Sequence, residues 1–197
     1  MTADLVRQVV ADLDADRPAD CRDAALLLVG FALAGRRSEL VALDVEHLEF
    51  VHGGMRILIA KSKTDQTGEG ATVGVPTGAS AATCPVAWLR RWLAVAGITA
   101  GPIFRMVDAY GKVRDGRLSA QSVCLIVKRH AQRVGLDRAG YSAHSLRAGL
   151  ATSAASGGAA TLRIADHGRW RSLNVLQGYV RDAQSLDAHN PLRATGL

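Results

Sequence analysis

The sequence has few of the features that mark disulfide-rich, zinc-binding or membrane proteins. Its three cysteines lie far apart without a Cys-x-x-Cys pair, so they predict neither a zinc site nor a disulfide framework, and they fit free thiols in a reducing cytoplasm. The longest apolar run, residues 24–34, is too short to cross a bilayer. The first residues show no charged region followed by an apolar core. We therefore expect a cytoplasmic protein with no signal peptide and no membrane contact.

Acidic residues are in the minority. The chain has 24 lysines and arginines against 18 aspartates and glutamates, which gives a formal net charge of +6 at pH 7 and a pI of about 9.7. This excess favours an anionic partner, of which nucleic acid is the commonest, although charge alone is equally compatible with a basic protein of another kind. Most of the basic side chains are arginines, whose guanidinium groups suit bidentate contacts with phosphate.

Hydrophobic periodicity predicts a mostly helical α+β fold with one small sheet. Apolar residues at helical spacing predict helices over 3–13, 21–34, 37–43, 84–96, 119–134 and 172–186, and one more that starts at Ser142 or His144 and ends near 157. Three short segments, 48–51, 55–60 and 71–75, predict a three-stranded antiparallel meander. This is the only β structure that we expect, because residues 101–117 contain Pro102 and three glycines and are predicted to form a loop.

A polar stretch at residues 15–20 predicts a boundary. It contains Pro18 and ends at Asp20, which could cap the next helix. We expect residues 1–19 to form an N-terminal helix and linker, and residues 20–197 to form the main domain.

Two pairs of residues have the spacing and chemistry of a phosphate site. His144 and Arg147 stand three residues apart at the start of a predicted helix, so they share one face. An imidazole exchanges protons near neutral pH, and a guanidinium is a permanent cation suited to phosphate. Arg36 follows Gly35 at a helix junction, where the Glu39 carboxylate could orient it. Taken separately, each pair is more simply an ordinary helix start or a surface ion pair.

Three further candidates gain meaning from their order in the chain. Lys63 lies at the predicted turn between the second and third strands, Trp170 lies in a Gly-Arg-Trp-Arg segment, and Tyr179 lies on the last predicted helix. Alone, they would be a loop lysine, a packing aromatic and a core tyrosine. The full set runs along the chain in the order Arg36, Lys63, His144, Arg147, Trp170, Tyr179.

This order resembles the tyrosine recombinase, or phage integrase, family over about residues 20–185. Gly-Arg-Arg-Ser-Glu-Leu at 35–40 is similar to the family's Gly-Leu-Arg-x-Ser-Glu-Leu box, and Tyr-Ser-Ala-His-Ser-Leu-Arg-Ala-Gly at 141–149 is similar to its second box. Trp-Arg-Ser-Leu-Asn-Val-Leu-Gln-Gly-Tyr-Val at 170–180 is similar to its nucleophile segment. The resemblance implies the family's catalytic-domain fold and a reaction that cuts and rejoins DNA strands through a covalent 3′-phosphotyrosine.

The resemblance also implies a role for each residue. Tyr179 would be the nucleophile, His144 would help to remove its proton, and Lys63 would protonate the departing 5′ oxygen. Arg36 and Arg147 would clamp the non-bridging oxygens of the phosphate. No metal or nucleotide cofactor is implied, because the arginines stabilise charge and the phosphotyrosine conserves the bond energy. Without DNA, we expect Lys63 and Tyr179 to sit several ångströms from the other site residues.

The chain departs from the family pattern in two places. Many members have Gly-His where this chain has Arg169-Trp170. We assign the family role to Trp170 and not to His167, because its spacing to Tyr179 fits, and expect it to supply packing and an indole hydrogen bond. The DNA-gripping N-terminal domain that is usual in the family is expected to be absent, since residues 1–20 are too few to form it.

The resemblance implies double-stranded DNA as the partner, a tetramer on DNA and a monomer without it. Two other functions stay open. One is a type IB topoisomerase, which uses similar chemistry to relax supercoils, and the other is a non-catalytic DNA-binding remnant of an integrase. The small size and the Ser-Glu-Leu box favour a recombinase over the topoisomerase, and the presence of all the catalytic residue types favours it over the remnant.

Overall fold

The computed structural model describes residues 1–60, 70–184 and 195. Within these residues the helices are α1 Ala3–Ala11, α2 Pro18–Ala32, α3 Arg37–Val41, α4 Pro85–Val95, α5 Ala120–Arg133, α6 His144–Ser156, α7 Thr161–Gly168 and α8 Leu173–Gln184. The strands are β1 Leu48–Val51, β2 Gly54–Ile59, β3 Ala71–Pro76, β4 Arg105–Val107 and β5 Val113–Arg117. In these ranges no helix combines the length and apolar composition needed to cross a membrane. The prediction of a mostly helical α+β fold is confirmed.

The three-stranded sheet forms as the alternation of apolar residues predicts. Strands β1, β2 and β3 pair antiparallel in sequence order, with Ile57 of β2 opposite Leu48 on one side and Val73 on the other. Met55, Ile57 and Ile59 alternate along β2 and are buried in the main core. Strand β2 ends at Ile59 and β3 begins at Ala71, so the predicted turn that carries Lys63 falls in residues 61–69, outside the described residues.

The prediction of a loop over residues 101–117 is wrong. Strands β4 and β5 pair antiparallel as a second, two-stranded sheet. Both strands are short and mostly exposed, so they lack the apolar alternation that marks a strand in sequence. The turn between them is built by Asp108, whose carboxylate accepts hydrogen bonds from the backbone N–H groups of Tyr110 and Lys112, and by Gly111 at a positive φ of 82°.

Two other details differ from the sequence prediction. Helix α2 begins at Pro18, inside the predicted linker, with Arg17 and not Asp20 as its N-cap. Proline suits the first helical position, because the N–H group that it lacks would have no partner there. Helix α7 was not predicted at all. It packs Ile164 and Ala165 into a second, smaller core with side chains of α6 and α8.

A buried ion cluster ties α2 to α5. The Asp23 carboxylate is fully buried and accepts hydrogen bonds from Arg22 (2.9 and 2.7 Å), from His130 Nε2 (2.7 Å) and from Arg129. Burial alone would raise the pKa of Asp23, but the His130 hydrogen bond and the charges of Arg22 and Arg129 outweigh it, so the pKa is lowered. The stability that this carboxylate contributes is therefore present above the ordinary aspartate pKa and is lost as the pH falls through the lowered one.

We predict that Asp23→Asn lowers the free energy of unfolding by about 3–5 kcal/mol, because it leaves Arg22 and His130 buried beside a neutral amide. Urea denaturation at neutral pH measures the change. The matched control is Asp4→Asn on α1, which removes an exposed ion pair with Arg7 and should cost less than about 1 kcal/mol. Equal effects of the two variants would contradict a stabilising role for the buried cluster.

Candidate active site

Three successive carbonyl groups, at the last residue of α2 and at the two residues that follow it, accept hydrogen bonds from basic side chains. The contacts join His167 Nε2 to the Ala32 oxygen (2.6 Å), Arg169 to the Leu33 oxygen (3.3 and 3.4 Å) and Arg147 Nη1 to the Ala34 oxygen (2.7 Å). The last carbonyl groups of a helix have no partner within the helix, and they form the negative end of its dipole. The end of α2 therefore holds side chains from α6 and from the end of α7 in fixed positions.

Arg147 is held on three sides. Its side chain is almost fully buried, and Nη1 donates to the carbonyl oxygens of Ala34 and Gly168, the latter at 2.5 Å. The guanidinium lies over the Trp170 ring, 3.8 Å from the ring centroid. Burial, and then the nearby charge of Arg36, lower the pKa of Arg147 to about 10, so it is still a cation at neutral pH. The partners that hold it are neutral, which leaves its positive charge uncompensated by any of them.

His144 and Tyr179 form a hydrogen-bonded pair. His144 is the first residue of α6, where the Ser142 hydroxyl accepts a hydrogen bond from its backbone N–H, and Tyr179 lies on α8. The His144 Nε2 atom and the Tyr179 hydroxyl are 2.9 Å apart. The expectation that Tyr179 sits several ångströms from the site in the absence of DNA is wrong, because the packing of α8 against α6 places it there directly.

The surroundings keep His144 neutral. Burial lowers the pKa of its imidazole, and the charges of Arg147 and Arg36 lower it further. Since the ordinary histidine pKa of about 6.5 is already below neutral pH, the lowered value means that the ring is uncharged at pH 7. A neutral imidazole within hydrogen-bond distance of a phenol can accept its proton.

Glu39 holds Arg36, as its spacing predicts. The Glu39 side chain is almost fully buried, and Oε2 accepts a hydrogen bond from the Arg36 backbone N–H (2.9 Å) while Oε1 accepts one from Arg36 Nη1. Oε2 also accepts a hydrogen bond from Arg169 Nη2 (2.9 Å). Burial would raise the pKa of Glu39, but the Arg36 backbone hydrogen bond and the charges of Arg169 and Arg36 outweigh it and lower the pKa. The carboxylate is therefore ionised at neutral pH.

The structure thus brings together six of the predicted residues: Arg36, Glu39, His144, Arg147, Trp170 and Tyr179. His167 bonds the end of α2, while the Trp170 ring contacts Arg147. The assignment of the family role to Trp170 and not to His167 stays a prediction. Lys63 lies outside the described residues, so its role stays a prediction. The bond from Arg169 to Glu39 was missed; its only sequence signal is an arginine where many family members have glycine.

We predict that Arg36→Gln raises the pKa of the His144 imidazole, because it removes one of the two positive charges that lower it. Titration of the ring resonances by NMR measures the pKa. Arg37→Gln is the matched control, since the Arg37 side chain bonds Cys124 Sγ (3.5 Å) and is not among the charges that lower the His144 pKa. The wild-type and Arg37→Gln proteins should titrate below the ordinary pKa of about 6.5. A His144 pKa unchanged by Arg36→Gln would contradict this coupling.

Known proteins are similar to this chain in sequence and in fold. The phage integrase family matches residues 1–185. An integrase/recombinase xerD homolog of Selenomonas ruminantium is 41% identical over 173 residues, which cover 87% of this chain and 51% of the relative. Tyrosine recombinase XerD of Ralstonia nicotianae is 33% identical over 155 residues, covering 78% and 46% respectively. The chain thus spans about half the length of these curated relatives.

Solved structures agree with the sequence comparison. The XerH site-specific recombinase bound to a palindromic difH substrate, in a post-cleavage complex, superposes with a TM-score of 0.73, 16% identity and coverage of 100% of this chain and 52% of that one. The XerA recombinase superposes with a TM-score of 0.68, 14% identity, and coverage of 100% and 61%. At these identities the superpositions establish the fold alone. The match of the family model over residues 1–185 shows that the chain belongs to the phage integrase family.

Proposed function

We propose that this chain cleaves and rejoins DNA strands through a covalent 3′-phosphotyrosine at Tyr179, as the catalytic domain of a site-specific recombinase. The observation that carries the proposal is the pair formed by Tyr179 and a neutral His144, 2.9 Å apart, beside the cations Arg36 and Arg147. A hydroxyl nucleophile next to a base, in a cationic site, is the arrangement that attack on a phosphodiester needs. The relatives that match the chain are named as integrases and recombinases.

Arg36 and Arg147 are suited to hold the phosphate. As the tyrosine oxygen attacks, negative charge concentrates on the non-bridging oxygens, and fixed donors that point there each contribute about 10²–10³ in rate. Arg147 is fixed by two carbonyl groups and the Trp170 ring, so it needs little reorganisation when charge develops. Arg36 is oriented by Glu39. Arg36 lies at the N-cap of α3 and Arg147 lies in α6, so the two cations could hold the phosphate from two sides.

The proton transfers follow from the same groups. The Tyr179 oxygen attacks phosphorus, its proton passes to His144 Nε2, and the bond from phosphorus to the 5′ oxygen breaks. This oxygen then takes up a proton, and we propose that Lys63 donates it. In the reverse direction a 5′-hydroxyl attacks the phosphotyrosine, so the joining step needs no nucleotide.

We propose double-stranded DNA as the substrate, residues 20–197 as the catalytic domain, and the cytoplasm as the compartment. Exchange of strands between two duplexes would require several copies of the protein to assemble on DNA. The family resemblance implies a tetramer on DNA and a monomer without it. The net charge of +6 supports a polyanionic partner.

We predict that Tyr179→Phe abolishes covalent adduct formation and leaves DNA binding unchanged, because it removes only the attacking oxygen. The assay uses a pool of nicked duplexes with a randomised central sequence, in which cleavage releases a short fragment and traps the protein on the DNA. Tyr141→Phe is the matched control and should keep forming the adduct.

The outcomes separate the competing functions. An adduct formed by Tyr179→Phe would overturn the assignment of the nucleophile. No adduct from the wild-type protein, with intact binding, would favour the non-catalytic remnant. Relaxation of a supercoiled plasmid at many sites, without exchange between two plasmids, would favour a type IB topoisomerase.

We also predict that DNA binding by this chain alone is weak and salt-dependent. Two phosphate contacts, from Arg36 and Arg147, give a slope of about −2 in a plot of log affinity against log salt, and a loss of about tenfold between about 50 and 200 mM salt. Fluorescence anisotropy with a random-sequence duplex measures the slope. Affinity that does not change across this range would show that phosphate contacts do not dominate the binding.

A further inference from the structure

We propose that Arg169 is a positioning residue for DNA cleavage, which acts by holding the Glu39 carboxylate that orients Arg36. The proposal rests on the proposed function, because it concerns the same site. Arg169 would not contact the phosphate itself. It would set where one of the two phosphate-binding cations stands.

The contacts of Arg169 join three parts of the site. Nη2 donates to Glu39 Oε2 (2.9 Å), both terminal nitrogens donate to the Leu33 oxygen at the end of α2, and Nη1 donates to the His167 oxygen (3.2 Å). The side chain is 14% exposed, and that of Glu39 is 1% exposed. The guanidinium is therefore an internal link between the ends of α2 and α7 and the carboxylate of α3.

The backbone at Arg169 gives a second, independent reason. Its φ of 58° and ψ of 45° lie in the left-handed region, which favours glycine. A non-glycine residue in this conformation is strained, and such strain persists where the surroundings hold it in place. We infer that the guanidinium contacts outweigh the backbone strain.

The influence of Arg169 reaches Arg36 through one carboxylate oxygen. Glu39 Oε2 accepts hydrogen bonds from both the Arg36 backbone N–H and Arg169 Nη2, each at 2.9 Å, while the other oxygen accepts from the Arg36 guanidinium. Loss of Arg169 would leave the buried carboxylate held only by its two bonds to Arg36, so that the carboxylate and the guanidinium could shift together. A displacement of about 1 Å in a group that contacts the reacting atoms can cost about a hundredfold in rate.

The test compares Arg169→Gly and Arg169→Lys with the wild-type protein. Glycine removes the guanidinium contacts but also relieves the backbone strain, so we expect only a small fall in melting temperature, while the single-turnover rate of adduct formation falls by up to about a hundredfold. The DNA Kd, measured with the same nicked duplexes, should change much less than the rate, because Arg36 keeps its charge close to the phosphate. Lysine keeps the charge and one donor, and should restore part of the rate.

A double-mutant cycle with Glu39→Gln separates positioning from general packing. If Arg169 acts through the carboxylate, Arg169→Gly should have little further effect on the rate in the Glu39→Gln protein. Fully additive losses would overturn the proposal, and so would a rate unchanged by Arg169→Gly. A loss of rate that only follows a lower melting temperature would also overturn it.

A measurement on the protein without DNA tests the role of Arg169 independently of the proposed function. In NMR titrations, Arg169→Gly should raise the pKa of the Glu39 carboxyl and shift the Arg36 guanidinium resonances. If the wild-type protein forms no adduct, the proposed function fails. The proposal that Arg169 positions Arg36 through Glu39 is then tested by these resonances alone. Arg36 resonances that do not move would overturn it in that case too.

Discussion

The carbonyl groups at the C-terminal end of α2 are the constraint on which the site depends. They accept hydrogen bonds from His167, Arg169 and Arg147, and so fix the end of α7 and the start of α6 against one helix. Carbonyl groups orient a guanidinium without cancelling its charge, whereas a carboxylate would form an ion pair with it. Arg147 therefore keeps a full positive charge in a buried place, where a charge acts most strongly on a bound phosphate.

That concentration of charge has a consequence for the His144–Tyr179 pair. Burial and two neighbouring guanidinium groups disfavour a protonated imidazole, so the same cations that would hold a phosphate also keep His144 in the form that accepts a proton. The proposed roles of His144 as base and of the two arginines as phosphate ligands thus support each other. Glu39 completes this arrangement, because its carboxylate orients Arg36 and also accepts a hydrogen bond from Arg169.

The sequence predicted local features well, because they depend on spacing within one element. The β1–β3 meander follows from apolar alternation, and the shared helical position of His144 and Arg147 follows from a separation of three residues. Strands β4 and β5 were missed because they are too polar and short to show alternation. The bonds from Arg147 and Arg169 to α2 carbonyl groups join residues more than a hundred positions apart, and backbone acceptors carry no sequence signature.

The claim that Tyr179 is the attacking residue is tested most directly by locating the DNA on the protein. The three tyrosines lie in three different tryptic peptides: Tyr110 in 106–112, Tyr141 in 139–147 and Tyr179 in 172–181. After nuclease and trypsin digestion of the trapped adduct, mass spectrometry should find the nucleotide on peptide 172–181, at Tyr179. A nucleotide on either of the other two peptides, or on a residue other than tyrosine, would contradict the account.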